Sequence, residues 1–215
     1  MAVTSIAEGS ITADGSEQTV SAITASGTYV AVIDTANMQA GDALTIRVKV
    51  RVRDGGTIRT MYIVSLADAQ DEPIAVSAPV GSPYGMTVTI EQTAGTNRAY
   101  PYSIEQIGDC EALAENTTTM DGTEQQLSQF TDNKNAWIYL DLNAMQAGDT
   151  IVVRWYRTAR ASGTERVAFA ATFTDAQTDP IAAGVPMPCP YGSTVTIEQT
   201  AGSFRQIPWS LRAAA

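Results

Sequence analysis

The stretch Leu44-Thr-Ile-Arg-Val-Lys-Val-Arg-Val-Arg53 decides how this chain folds. Leu44, Ile46, Val48, Val50 and Val52 alternate without a break with Thr45, Arg47, Lys49, Arg51 and Arg53. An apolar period of two belongs to a β-strand with one buried and one wet face. Strand-like runs continue outward at Gln18–Ala22, Thr28–Asp34, Thr57–Leu66, Ile74–Ser77, Met86–Gln92 and Arg98–Ile104. Turn signals separate them at Ala40-Gly-Asp42, Asp54-Gly-Gly56, Asp71-Glu-Pro73 and Thr93-Ala-Gly95.

The same pattern occurs twice. Met38-Gln-Ala-Gly-Asp42 returns as Met145-Gln-Ala-Gly-Asp149, and Pro83-Tyr-Gly85 as Pro190-Tyr-Gly192. Thr87-Val-Thr-Ile-Glu-Gln-Thr-Ala-Gly95 returns unchanged at Thr194–Gly202, and Asp14-Gly15 matches Asp121-Gly122. One shift of 107 positions relates every pair, so no insertion separates the copies. Two copies of this length make a duplicated domain, since a stacked solenoid needs more and shorter repeats. The expected organisation is an N-terminal arm 1–11, a domain 12–105, a linker 106–118 and a domain 119–212. Seven or so short strands per copy predict an all-β chain of two tandem antiparallel β-sandwich domains. Strand count leaves a jelly-roll and an immunoglobulin-like order both open.

Substitutions between the copies fit a core: Leu44 becomes Ile151, Ile46 becomes Val153 and Val48 becomes Trp155. Val50 becomes Arg157, which puts the far end of that strand near a rim in the second copy. Glu91 and Arg98 bracket what reads as a hairpin loop, and so do Glu198 and Arg205, which predicts facing charge pairs.

Composition narrows the chemistry. The absence of histidine excludes Ser-His-Asp and Cys-His units and histidine metal sites. A net charge of −10 argues against phosphate-driven nucleic-acid binding. No run reaches the roughly 18 apolar residues of a membrane helix, so no membrane partner is expected. The start, Met1–Ser10, lacks the basic and apolar stretches of a secretory signal. Cys110 and Cys189 then read as two free thiols of a protein made in a reducing cytoplasm.

Few residues invite a chemical reading. Asp68, Asp71 and Glu72, with Asp175 and Asp179 in the second copy, lack the spacing of a calcium loop and read as polar turns. No spaced carboxylate pair suggests a glycosidase. The chain is therefore expected to be non-enzymatic, with no catalytic residues, no metal and no cofactor. The sharpest feature is the ladder Arg47, Lys49, Arg51 and Arg53, a docking face for an acidic partner or a wet face neutralised by its neighbours. The second copy keeps Arg154 and Arg160 but has Tyr156 and Thr158 between them. Tyr84, Tyr100, Tyr102, Tyr191 and Trp209 suit corners and cores, or sugar stacking if exposed.

The string Asp-Gly-Ser/Thr-Glu-Gln, Met-x-Ala-Gly-Asp and Thr-Ile-Glu-Gln-Thr-Ala-Gly-x-x-Arg resembles small β-sandwich modules among the structural proteins of bacterial viruses. The resemblance spans both copies. It implies a virion component, a capsid decoration or cement protein or a minor head or tail protein, made in the host cytoplasm. It implies the major capsid protein or other virion proteins as partners, and self-association into a homo-oligomer. The competing reading is a carbohydrate- or receptor-binding module of a phage tail or extracellular adhesin.

Overall fold

A computed structural model of the chain describes residues 3–131, 133–158, 163–184 and 186–214. It divides into two compact units, one running through Glu111 and one spanning Ala112–Ala214. Every regular element among the described residues is a β-strand.

The first unit contains β1 (Thr4–Thr12), β2 (Gln18–Ile23), β3 (Gly27–Asp34), β4 (Ala43–Val50), β5 (Arg59–Ala67), β6 (Ile74–Val76), β7 (Val80–Ser82), β8 (Met86–Ala94) and β9 (Ala99–Gly108). One sheet has the order β1-β9-β3-β6, with short β7 also on β3, and the other has β2-β8-β4-β5. The pairs β1 with β9, β2 with β8, β3 with β6 and β4 with β5 are nested, like a long hairpin rolled into two facing sheets. That is jelly-roll order, and it decides between the two candidate topologies.

The second unit repeats it with β10 (Cys110–Thr119), β11 (Gln125–Phe130), β12 (Lys134–Asp141), β13 (Thr150–Arg157), β14 (Arg166–Thr174), β15 (Ile181–Ala183), β16 (Met187–Cys189), β17 (Ser193–Ala201) and β18 (Gln206–Ala214). Its sheets are β10-β18-β12-β15, with β16 on β12, and β11-β17-β13-β14.

Each core lies between its unit's two sheets. Along β4 every second residue is buried, so Leu44, Ile46, Val48 and Val50 face inward while Arg47 and Lys49 face out. In the second unit Ile151, Val153 and Trp155 of β13 pack with Ile138 and Leu140 of β12 and with Leu211 of β18. Cys110 and Cys189 are both buried, and no disulfide joins them.

The segments read as an arm and a linker hold the first strands of the two sandwiches, β1 and β10. β1 is exposed over most of its length, so burial does little to order it. Its order comes from a backbone ladder on β9, from Thr4 opposite Gln106 to Thr12 opposite Ala99. A count of apolar residues does not register such a strand. The repeat itself carried the signal, because Ala7-Glu8 and Thr12 return as Ala114-Glu115 and Thr119.

Candidate functional site

The basic ladder divides in two. β4 ends at Val50, after a register irregularity between Val48 and Lys49, so Arg51 and Arg53 lie in the turn beyond the strand. Arg47 Nη1 lies 2.8 Å from Glu91 Oε2 and 3.7 Å from Glu17 Oε1, and Lys49 Nζ lies 2.6 Å from Glu17 Oε1. The Thr89 hydroxyl also donates to Glu17. Burial pushes the Glu17 carboxyl up, but Lys49 and Thr89 outweigh it and hold it below the usual range. Arg51 is half-buried and Arg53 is exposed.

The second unit builds the same cluster with one change. Arg154 Nη1 lies 2.7 Å from Glu198 Oε2 and 3.3 Å from Glu124 Oε2. Tyr156, in the place of Lys49, donates its hydroxyl to Glu124 Oε1 at 2.8 Å. The Thr196 hydroxyl leads, with Tyr156 and Arg154, in holding the Glu124 carboxyl low, and the Tyr156 phenol is pushed up by its bond to Glu124. A phenol thus does the donor's work of an ammonium, at one positive charge less. Arg157 is half-buried, its Nη1 3.8 Å from Met187 Sδ. Arg160 lies outside the described residues.

The expected Glu91–Arg98 and Glu198–Arg205 pairs do not form, because each glutamate lies on one sheet while its arginine sits in the corner just before a strand of the other. The segment between β8 and β9 is a corner crossing the sandwich. Arg98 Nε instead donates to Asp42 Oδ2 at 2.9 Å, and its Nη2 to Gln39 Oε1 at 3.0 Å. Asp42 also accepts from the backbone N–H groups of Gln39 and Thr96. Gln92 closes the corner, accepting from Arg98 N and the Tyr100 hydroxyl and donating to the Thr96 carbonyl. Asp149, Arg205, Gln146 and Gln199 repeat this arrangement, with Arg205 Nε 2.7 Å from Asp149 Oδ2. The Gln39 N–H, then Arg98 and Thr96, hold the Asp42 carboxyl below its usual range; for Asp149 the Arg205 guanidinium leads.

These corners account for the most closely repeated motifs, Met-Gln-Ala-Gly-Asp and Thr-Ile-Glu-Gln-Thr-Ala-Gly-x-x-Arg. Asp68 and Asp175 belong to them as well. Each has positive φ (63° and 62°), and each Oδ1 accepts a backbone N–H at 2.7 Å, from Gly41 and Gly148. Among the described residues, no group of three His, Cys, Asp or Glu side chains is placed to hold a metal.

The aromatic residues fall into two groups. Tyr100 and Trp209 are core residues, the latter donating from Nε1 to Thr118 Oγ1 at 2.9 Å. Tyr102 is half-buried against Gly9, and Tyr84 is half-buried, while Tyr191 is 50% exposed. Pro83-Tyr-Gly85 is a forced corner: Gly85 has φ of 78°, and a Cβ there would stand 1.9 Å from the Ile23 carbonyl oxygen.

Two clefts open on the first unit, neither of which sequence reasoning identified. One, of about 230 Å³, opens between the sheet edges formed by β5 and β6 and is lined by Ile33, Ile46, Tyr62, Val64, Leu66 and Ile74. The equivalent space in the second unit is about 20 Å³, with Phe169 and Phe173 in the places of Tyr62 and Leu66. The other, of about 150 Å³, brings Tyr84 together with Lys49 and Arg51, beside Ile23, Val50 and Ile58.

No family model matches the chain, and no curated protein matches it. Solved structures similar to it include the following three. The PBSX exported protein XepA is 8% identical over 100% of this chain and 86% of that one, with a TM-score of 0.36. The tandem CBM22-1–CBM22-2 domains of Xyn10C from Paenibacillus barcinonensis are 12% identical over 89% and 79%, with a TM-score of 0.25. The Macrobrachium rosenbergii nodavirus structure is 8% identical over 99% and 96%, with a TM-score of 0.29. All three superpose loosely.

Proposed function

We propose that this chain is a non-enzymatic structural component of a bacterial virus particle, a decoration protein that binds the outer capsid lattice. The observation that carries the reading is the jelly-roll order in both tandem units, an architecture used by viral capsid and lectin domains. The most closely repeated residues sit in internal corners, so the two units share a scaffold and differ on their surfaces. Two weak patches on one chain add through avidity, which suits attachment to a repeating lattice. Edge strand β1, exposed along its length, offers backbone groups for such contacts.

Quantitative mass spectrometry of gradient-purified particles of the encoding virus tests this. The expected result is a fixed copy number per major capsid protein that matches a class of lattice positions. Absence from purified particles overturns it. The exposure of Tyr191 favours a second reading, a glycan- or receptor-binding module. Specific sugar binding on a glycan array, lost in Tyr191→Ala, would establish that reading instead.

A further inference from the structure

The 150 Å³ cleft of the first unit unites two features that are far apart in the sequence. Its walls come from the end of β2 and the residue after it (Ile23, Thr24), the end of β4 and the residue after it (Lys49, Val50, Arg51), Ile58 before β5, and Tyr84 to Thr87 running into β8. The Gly85 corner presses this last segment onto the Ile23 carbonyl and so fixes Tyr84 at the cleft. Cations, an aromatic ring and aliphatic side chains thus line one cleft.

At the matching positions of the second unit the side chains differ. Lys49 and Arg51 are replaced by Tyr156 and Thr158, and apolar Ile58 by Glu165. Glu165 accepts a hydrogen bond from the Thr194 hydroxyl, the counterpart of lining residue Thr87. Among these lining positions the first unit carries two cations and no carboxylate, whereas the second carries Arg157, in place of Val50, together with Glu165.

Resting on the docking reading above, we propose that this cleft is the pocket for an acidic segment of a partner protein. One apolar side chain enters between Tyr84 and Ile58, and a flanking carboxylate meets Lys49 and Arg51. Size sets the first half of this assignment: about 150 Å³ holds a single ring, as an apolar cavity of that volume holds benzene. Lining chemistry favours an apolar group over a sugar in the innermost space, because Val50 and Met86, the buried side chains of the lining, offer no partner to buried hydroxyls. Charge sets the second half. In a chain of net −10, a carboxylate is repelled over most of the surface and attracted where Lys49 and Arg51 meet, with exposed Arg53 close by in sequence. Lys49 already contacts Glu17, yet an ammonium carries three donors and can bridge two carboxylates.

Nitrogen-15 NMR of the full chain, titrated with acetylated and amidated Glu-Phe-Glu, tests the pocket. Amide shifts are expected at Thr24, Ile58, Gly85 and Thr87 and not at their counterparts Thr131, Glu165, Gly192 and Thr194. Neutral Gln-Phe-Gln should bind at least about fivefold more weakly, and added salt should narrow the gap. Arg51→Thr with Ile58→Glu, which gives the first unit the second unit's residues, should lose the same factor at an unchanged melting temperature. Equal shifts in both units, indifference to peptide charge, or tighter binding of methyl glucuronide than of the peptide would overturn the proposal. Cosedimentation with particles separates the two claims. If the double variant binds particles as well as the parent chain does, the pocket is not the contact and only this proposal falls. If the parent chain binds Glu-Phe-Glu but not particles, the decoration reading falls and the pocket stands.

Discussion

Gly95 and Gly41 have nearly the same backbone conformation, φ of 85° and 86°, but different surroundings. A Cβ on Gly95 would stand 2.0 Å from Asp42 Oδ1, whereas one on Gly41 would meet nothing within 4 Å. Gly41→Ala should therefore cost only the left-handed backbone penalty, about 1 kcal/mol. Gly95→Ala should cost about 3 kcal/mol, since it must also displace the carboxylate that holds Arg98. Chemical denaturation of the two variants checks this, and equal losses would mean the corner is soft. The same carboxylates set an acid limit. Asp42 and Asp149 titrate below their unfolded value, so their contribution is fully present above about pH 4–5 and is lost as pH falls through the lowered values. Asp42→Asn with Asp149→Asn should lower the melting temperature at pH 7 and flatten its decline between about pH 5 and 2. Melting curves across that range decide it.

At the scale of elements, β5 and β14 have the same place in their sheets but fill it differently. Leu66 lines the open space toward β6, and Phe173, with Phe169 and Ile138, lines its smaller counterpart. Leu66→Phe should fill part of the cleft and raise stability by about 1 kcal/mol, the usual return from cavity filling. A destabilised variant would show that the cleft cannot accept a ring without shifting β6. Strand assignments made from alternation hold where one face is buried, as in β4 and β8. They miss β1 and β10, because an edge strand held by its backbone ladder has no need of alternating side chains.

At the scale of the molecule, each unit encloses its own core. Trp155, 1% exposed, fills the second core where the first has Val48. Trp155→Ala should cost the second unit about 3–5 kcal/mol. Calorimetry should then resolve two transitions, an early one from the damaged unit and one at the parent temperature. A single lowered transition would mean that the units unfold together.

Periodicity and the 107-residue shift determined the β class, the tandem duplication and most strand positions, because these depend on neighbours along the chain. Only the tertiary structure decided the jelly-roll order, since nested pairing joins strands as distant as β1 and β9 and leaves no local mark. It also decided the partners of the charges. Glu91 lies near Arg98 in sequence, but a strand's side chains meet those on the same face of the neighbouring strand, so Glu91 meets Arg47 across the ladder while Arg98 reaches back to Asp42. The cleft beside Tyr84 was hidden for the same reason: its walls come from four separate segments that only the folded sandwich brings together.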